Sequence, residues 1–302
     1  MLLTPAQADE GGVSFWLPGQ YGSFAAIAPE PGFSIPTVTY YYQGEMKAGK
    51  TLRQGTEIAA EADASFLAQF IIPTYTPDAS ILGGRPSFSL ALLPAYSETS
   101  AEISAGGLSA SRSDSVSGFG DLYPTVQLFW NAGVSNWMVY GSAGLPVGSY
   151  EPDRLANVGT GHAAIDVGGA YTYLNPETGW EMSATAGVTF NFENPDTYYT
   201  SGTSIHLDVG AAKLLSEQFF AGVVGYAYQQ VAADEGTSTL LGDFKSSVIG
   251  IGPQIGYNFM AGDVPIYTNL RGYLEVAAEN RPKGGSLFLT VNLPVSALMR
   301  TE

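Results

Sequence analysis

The sequence predicts an all-β protein: a transmembrane antiparallel β-barrel of about twelve strands, with an N-terminal segment packed in or at its lumen. Three observations predict it. Segments with alternating apolar and polar side chains recur along the 302 residues. The connectors between these segments alternate between short and long. The polar faces carry mainly Gly, Ser, Thr, Asn and Gln, whereas a soluble β-sandwich, the competing interpretation, exposes many Lys, Glu and Arg side chains.

The clearest alternation occurs in residues 180–193, WEMSATAGVTFNFE. Every even-numbered residue is apolar, and every odd-numbered residue is polar or Gly. Successive side chains of a strand point to opposite faces, so one face of this strand suits lipid and the other suits water. A strand of about 10 residues with this pattern is long enough to cross an outer membrane.

Eleven further segments share the pattern in weaker form, and each is predicted to be a strand. The twelve predicted strands are residues 34–45, 57–75, 85–97, 118–131, 136–149, 162–174, 180–193, 203–213, 219–231, 244–260, 266–279 and 286–295.

The connectors that follow even-numbered strands are short, as at 132–135 and 261–265, and hold turn-forming residues. Most connectors after odd-numbered strands are longer, at 98–117, 150–161, 194–202 and 232–243, whereas the one at 280–285 is short. Tight turns at one end and loops at the other are typical of outer-membrane barrels. The even strand count places both termini at the end with the short turns.

The composition excludes several function classes. Charged residues make up only 13% of the chain, about half the share usual in soluble domains. The net charge of -16 argues against nucleic acid as a partner. The chain has no cysteine, which excludes thiolate metal sites. No apolar run is long enough for a transmembrane helix. We expect no cofactor and no metal site.

Four regions are predicted along the chain. Residues 1–8 are a remnant of an export signal, because Ala6-Gln7-Ala8 resembles a cleavage site, although an ordinary Ala-rich terminus is the alternative. Residues 9–33 form a plug-like segment, 34–295 form the barrel, and 296–302 form a C-terminal tail.

The predicted plug is apolar but is broken by three prolines, so it suits neither a helix nor a strand, yet it is too apolar to remain in water. We expect it to enter the barrel and narrow the lumen, with Phe15, Trp16, Tyr21 and Phe24 contacting the solute or the wall. The alternative is a structural cap across the barrel rim.

Charged side chains on the polar faces are expected to point into the lumen and to govern selectivity. They are Asp63, Asp121, Asp166, Glu181, Glu193, His206, Asp208, Arg271 and Glu275. The excess of acids favours cations in a water-filled path. The alternative is that Arg271 pairs with neighbouring acids and braces the interior. Lumenal aromatic residues that suit stacking with a solute are Tyr123, Phe129, Tyr140, Tyr267 and Tyr273.

Catalysis is a weaker alternative. His206 and Asp208 share a face, and Ser183 and Ser204 are the nearest candidate nucleophiles, but no GxSxG motif accompanies them. His162 is expected at the barrel rim. The carboxylate pairs in the loops, Glu193 with Asp196 and Asp234 with Glu235, lack the spacing of a calcium loop and are expected to be solvated. We therefore predict no catalytic residues.

Several motifs resemble one family across nearly the whole chain. They include GGVSFWLPGQYGSFAA (11–26), SGFGDLYPTVQLFW (117–130), FNFENPDT (190–197), GPQIGY (252–257) and RGYLEVAAENRP (271–282). They resemble the outer-membrane channels named for the meta-cleavage pathway of phenol degradation. This chain departs from the usual pattern of exported barrels in lacking a full signal peptide and in ending SALMRTE, without a terminal aromatic residue.

The resemblance implies a bacterial outer-membrane barrel that passes small molecules, aromatic or hydrophobic ones among them. The expected partners are outer-membrane lipid, lipopolysaccharide and the small-molecule solute. An outer-membrane hydrolase and a structural barrel with a blocked lumen are the alternatives.

Overall fold

The computed structural model describes residues 14–51, 57–105, 108–236, 245–262 and 264–298. The predicted export-signal remnant, 1–8, lies outside the described residues, as does the end of the predicted tail. The described elements are β1 (Gly32–Thr51), β2 (Glu57–Ile71), β3 (Thr74–Thr76), β4 (Arg85–Ala91), β5 (Pro94–Ala105), β6 (Leu108–Phe119), β7 (Tyr123–Ala132), β8 (Ser135–Gly144), β9 (Ala164–Asn175), β10 (Trp180–Asn191), β11 (Ser204–Leu214), β12 (Phe219–Gln230), β13 (Ser247–Ala261), β14 (Val264–Glu279), β15 (Lys283–Leu293) and the short helix α1 (Val295–Leu298).

These fifteen segments form the twelve predicted strands. Three strands are interrupted, and each consists of two segments: β2 with β3, β4 with β5, and β6 with β7. Pro73 stands at the first interruption, where it cannot donate to the ladder. A bridge between Ile71 and Leu92 links the first interruption to the second, and Gly120 N donates to Leu93 O at 2.7 Å. The sheet therefore bends locally at one height across three neighbouring strands.

The sheet closes on itself. Strand β1 pairs with β15 in antiparallel register from Ile35 opposite Leu293 to Glu45 opposite Lys283. On its other side β1 pairs with β2 and, near its beginning, with β3. Closure satisfies the backbone groups that an edge strand would leave unpaired, which is the condition for a sheet in lipid. The prediction of an antiparallel twelve-strand barrel is confirmed.

The two faces of the wall differ as the alternation predicts. On β10 the Trp180 side chain is 47% exposed and Met182 is 51% exposed, whereas Glu181 between them is fully buried. On β11 the apolar Ile205, Leu207 and Val209 likewise face outward. The outward face is therefore apolar along the strands, and the polar side chains point inward.

Three sequence predictions at the loop end are wrong. The predicted loop 98–117 is mostly strand, because β5 and β6 extend as a hairpin beyond the barrel wall. Its exposed face shows no apolar periodicity, so alternation could not reveal it. Asp63 is exposed and points away from the lumen, since Ala62 takes the buried face. Glu193 is exposed and lies beyond the end of β10 at Asn191.

Two apolar clusters fill part of the interior. One gathers aromatic side chains from β1, β12, β14 and β15, including Tyr40, Tyr226 and Phe288. The other joins Trp16 to Phe129, Met138 and Tyr140 on β7 and β8. Among the described residues, no helix is both long and apolar enough to cross a membrane.

Candidate functional site

Residues 14–31, called here the N-terminal segment, lie against inward-facing side chains of the barrel. Near the short-turn end, Arg85 Nη1 donates to Pro29 O at 2.9 Å, and Ala26 N donates to Thr172 Oγ1 at 3.0 Å. Farther along the lumen axis, Trp16 stacks on His206. The contacts thus extend from the short-turn end into the middle of the wall.

Asp208 holds the centre of the segment. Its two carboxylate oxygens accept hydrogen bonds from Gly19 N at 2.9 Å and Tyr21 N at 3.1 Å. Gly19 has a φ of +83°, a left-handed conformation that glycine adopts without steric cost. Tyr273 Oη donates to Gly19 O at 3.1 Å, and Arg271 Nη2 donates to Gln20 O at 3.1 Å. The wall therefore satisfies donors and acceptors of an irregular backbone.

Glu181 holds the next part of the segment. Its Oε1 accepts from Phe24 N at 2.7 Å and also from the Ser183 hydroxyl. Phe24 has a φ of +66°, which is strained for a residue other than glycine. Its ring packs edge-on against Phe220, with ring centroids 5.0 Å apart. The hydrogen bond and the ring contact together hold this strained residue.

A third group lies around His206. The Trp16 ring stacks on the His206 ring with centroids 3.5 Å apart, and His206 Nε2 lies 3.0 Å from Asp166 Oδ2. Asp166 also accepts from Tyr140 Oη at 2.6 Å and Thr189 Oγ1 at 2.5 Å. Gly187 makes this cluster possible, because a Cβ there would lie 2.4 Å from Tyr140 Oη and 2.7 Å from His206.

Asp121 organises the loop after β8 in a similar way. Its Oδ1 accepts from Gly148 N at 2.9 Å, and its Oδ2 accepts from Thr160 N at 2.9 Å and Thr160 Oγ1 at 2.7 Å. His162, expected at the rim, is buried beside Thr160. The loop is folded inward, and Val158 lines the cavity described below.

Glu275 lies nearer the long-loop end. Its carboxylate accepts from Tyr42 Oη and from Tyr226 Oη, both at 3.1 Å. Arg271 does not form the ion pairs of the bracing alternative, because none of the described acidic side chains lies within ion-pair distance of its guanidinium. Instead its guanidinium lies 5.1 Å from the Phe288 ring centroid, in addition to its hydrogen bond with Gln20 O.

The segment leaves an open space beside the opposite wall, called here the wall cavity. Its volume is about 370 Å³. Phe15, Trp16 and Tyr21 line it from the segment, and Phe66, Tyr123 and Phe288 are among the wall residues that line it. Among its described lining residues, none carries a charge. Burial raises the pKa of the Tyr21 hydroxyl well above its ordinary value, so this lining group stays neutral.

A smaller cavity of about 110 Å³ lies nearer the long loops. It shares Leu17, Phe66 and Val158 with the wall cavity, and it contains the charged Glu275 and Arg281. They also share Ser14 and Thr160, so the two cavities meet at an uncharged boundary, with the charges on the loop side.

The residues predicted to face the lumen differ in where the structure places them and in what they contact. The structure buries Asp121, Asp166, Glu181, His206, Asp208, Arg271 and Glu275 on the inward face. Of the aromatic candidates, Tyr123 and Tyr140 line the wall cavity, whereas Tyr267 stacks on Phe220 and Tyr273 binds Gly19. Sequence reasoning missed Thr172 and Gln254, and it considered Ser183 only as a candidate nucleophile, although all three polar side chains share the inward alternation of their strands.

The candidate catalytic residues are not brought together as a triad. His206 bonds to Asp166 and not to Asp208, and its Nδ1 has no hydrogen-bond partner among the described residues. Ser183 bonds to Glu181 and Thr172. Asp234 accepts from Gly202 N at 2.7 Å and so ties two loops together. In the part of the chain that the structure describes, no group of three His, Cys, Asp or Glu side chains is placed to hold a metal ion.

Comparison with protein families gives one match, to the family described as "Putative MetA-pathway of phenol degradation", over residues 45–291. The chain belongs to this family. The match covers the barrel from the middle of β1 into β15, so the resemblance predicted from the motifs is confirmed. A search of curated proteins finds no match.

Solved structures include similar barrels. This member of the phenol-degradation family is similar to the COG4313 outer membrane channel from Pseudomonas putida F1. The TM-score is 0.61 at 16% identity, and the match covers 91% of this chain and 99% of that chain. A FadL homologue from Pseudomonas aeruginosa has a TM-score of 0.41 at 11% identity, covering 97% and 99%. The β domain of the Bordetella autotransporter BrkA has a TM-score of 0.44 at 10% identity, covering 87% and 100%. The first likeness shows that the fold is that of an outer-membrane barrel.

Proposed function

We propose that the protein is an outer-membrane channel for passive diffusion of small molecules, aromatic or hydrophobic ones among them. One observation carries this proposal. A closed barrel with an apolar outward face encloses a cavity of about 370 Å³ lined largely by apolar and aromatic side chains. Ligand sites for small molecules have this character, with few polar groups among many apolar ones.

Two findings support the proposal. The family is described by a pathway of phenol degradation, and phenol is a small aromatic molecule. The Pseudomonas putida barrel is described as an outer membrane channel, and its fold matches over nearly the whole of both chains. Outer-membrane lipid surrounds the wall in this proposal, while contact with lipopolysaccharide stays a prediction.

The N-terminal segment acts as a plug in the proposed channel. Side chains on β9, β10, β11, β13 and β14 hold it, through Thr172, Glu181, Asp208, Gln254 and Arg271. A cap lying across the rim would not reach Asp208, which is central in β11. The segment therefore narrows the lumen to the space beside it.

The inward charges brace this plug in the proposed channel and do not select ions. Asp208 and Glu181 already accept backbone hydrogen bonds from the segment, and Asp166 is enclosed by Tyr140, Thr189 and His206. The carboxylates of Asp208 and Asp166 are surrounded by donors and have little capacity left for a passing cation, whereas Glu181 Oε2 has no hydrogen-bond partner among the described residues. We expect the replacements Asp208→Asn and Glu181→Gln to leave the reversal potential unchanged, and a loss of cation preference would contradict the bracing role.

The protein is not an enzyme in this proposal. The support is that His206 is covered by the Trp16 ring and bonds to Asp166, and that no serine among the described residues bonds to it as a hydrolase needs. Ester or lipid hydrolysis by the purified protein, lost in His206→Ala, would contradict this part of the proposal.

The test of transport is uptake of phenol and related single-ring aromatic compounds by cells with and without the gene. We expect growth on these compounds at limiting concentration to depend on the gene, and complementation by the intact chain to restore it. Equal growth of the two strains at every concentration would contradict the proposed function.

Deletion of residues 14–26 tests the plug. The deletion removes the partners of Asp208, Glu181 and Thr172, so we expect single-channel conductance in planar bilayers to rise several-fold. Asp78→Ala is the control, because Asp78 is exposed in a short-turn connector. Unchanged conductance in a correctly folded deletion variant would contradict the plug.

A further inference from the structure

Most hydrogen bonds that anchor the N-terminal segment lie on one side of the barrel; on the other side only Arg85 on β4 and Gln127 on β7, among the described residues, bond to Pro29 O and to the Tyr21 hydroxyl. Its hydrogen bonds to inward side chains of β9 to β14 involve Thr172, Ser183, Glu181, Asp208, Gln254 and Arg271. The wall cavity lies on the other side, against residues of β1, β2, β4 and β7 such as Val38, Phe66, Ala91 and Tyr123. The segment is therefore held mainly on one side, and most of its other side borders open space.

Two adjoining cavities lie along the open side of the lumen. At the short-turn end the wall cavity is bordered by Ser34, Thr74 and Asn292, and toward the loops it reaches Val158 and Thr160. The smaller cavity begins there, because both spaces share Leu17, Phe66 and Val158. A solute can follow this line of space without any displacement of the segment from Asp208 or Glu181.

The chemistry of the wall cavity differs from the overall charge of the chain, whereas the smaller cavity on the loop side contains Glu275 and Arg281. Although the chain has a net charge of -16, the described lining residues of the wall cavity carry no charge. The polar groups that line it are neutral hydroxyls and amides, such as Thr125, Gln127 and Asn292. A bare ion in such a space loses hydration without gaining a partner, which disfavours it strongly, whereas a neutral ring gains apolar contacts.

We infer that solute passes along the wall cavity, beside an N-terminal segment that stays anchored throughout transport, and that the wall cavity admits uncharged solutes much faster than ions of either sign. The inference rests on the proposed channel function and adds the position of the path, the fixed state of the plug and the selection by charge.

Covalent attachment of the segment tests its fixed state. Ser183 Oγ lies 3.3 Å from Ala25 N, and the chain has no cysteine, so the pair Ala25→Cys and Ser183→Cys adds the only two thiols. The full chain is placed in lipopolysaccharide-containing vesicles, and benzamide uptake is measured before and after reduction, corrected for protein-free vesicles.

We expect the disulfide form to take up benzamide within about twofold of its reduced form and of each single-cysteine variant. Uptake that disappears on oxidation and returns on reduction would overturn the inference, because the segment would then have to move. If the wild-type protein itself takes up no benzamide above the protein-free rate, the proposed function fails instead, so the two failures are distinguishable.

Obstruction of the wall cavity tests the position of the path. Ala91→Trp and Val38→Trp each place a large ring in the cavity, and Leu90→Trp, on the opposite face of the same strand as Ala91, is the control. We expect a tenfold or greater loss of uptake for at least one cavity variant and none for the control, in proteins that show the same heat-modifiable gel migration. Normal uptake in both folded cavity variants would overturn the inference.

Charge selection is tested with three probes of similar size. We expect benzamide to enter at least tenfold faster than benzoate and benzylammonium through the wild-type protein. Equal rates for the three probes would overturn the rejection of ions, and a faster rate for benzylammonium would show selection for cations.

Discussion

At the residue scale, the wall uses inward carboxylates as hydrogen-bond acceptors for a backbone that has no regular structure. Asp208 serves Gly19 and Tyr21, and Glu181 serves Phe24. A helix satisfies its own N–H groups and a strand pairs them with neighbouring strands, but an irregular segment must find acceptors elsewhere. Charges that suggest ion selectivity in the sequence therefore have a structural use in the folded protein.

Asp208→Ala removes the acceptor of two buried or half-buried N–H groups. Leaving one such donor unsatisfied costs about 1–3 kcal/mol, so we expect the free energy of unfolding to fall by at least about 1–3 kcal/mol. Equilibrium unfolding in detergent measures the change, with the exposed Asp78→Ala as control. A loss no larger than that of the control would contradict the anchoring role of Asp208.

Gly19→Ala tests the close fit of the segment. Gly19 has a φ of +83°, and a Cβ there would lie 2.9 Å from the Tyr273 ring. Gly133→Ala is the matched control, because Gly133 has a φ of +67° in a turn with no neighbouring atom within 4 Å of the added carbon. Both variants carry the backbone strain, but only Gly19→Ala adds overpacking of about 1–3 kcal/mol. Equal melting temperatures for the two variants would contradict this fit.

At the element scale, the interruptions between β2 and β3, β4 and β5, and β6 and β7 shape the loop side of the barrel. Above them the strands continue as an extended hairpin, and the loop after β8 folds inward onto Asp121. Ser149 N donates to Phe119 O at 2.7 Å, which joins this loop to the end of β6. The side of the barrel that carries the wall cavity is thus covered by a pinned loop.

Asp121→Ala is expected to release this loop. The change removes the acceptor of Gly148 N, Thr160 N and Thr160 Oγ1. We expect trypsin to cleave after Arg154 at least several times faster than in the wild-type protein, while the barrel stays folded. Asp196→Ala, in the next long loop, is the control because its side chain is exposed. Identical cleavage rates would show that the loop is held by other contacts.

At the scale of the whole molecule, lipid is the solvent of the outward face. Leu207→Arg places a charge on that face near the middle of β11, and such a charge costs about 2–4 kcal/mol at the bilayer midplane. Leu108→Arg makes the same substitution at the tip of the hairpin beyond the wall, where we expect little effect. Guanidinium unfolding in lipid vesicles measures both, and equal losses of stability would contradict the assigned membrane face.

Alternation alone predicts much of this architecture. It gives the number of strands, their order and the facing of residues such as Trp180, Glu181 and Asp208, because the side-chain period of a strand is fixed by backbone geometry. Alternation does not predict the hairpin of β5 and β6, because a strand that is exposed on both faces needs no apolar face.

The partners inside the lumen could not be predicted in the same way. His206 bonds to Asp166, two strands away, and not to Asp208 on its own strand, because Gly187 leaves room between them. The N-terminal segment has no period at all, so no pattern indicates which acceptor receives Gly19 N. Its apolar composition predicts burial, and only the folded wall determines the contacts.

The sequence separation of the anchoring contacts constrains the order of assembly. Gly19 and Tyr273 are 254 residues apart, and Gln20 and Arg271 are 251 apart. Contacts between such distant residues carry a loop-closure cost that local hairpins avoid, and they need β14 to be in place. If the chain enters the membrane hairpin by hairpin, its first residues cannot make these contacts until its last strands have been added. The segment reaches its partners only as the barrel closes, which makes seating of the plug a late kinetic step of folding.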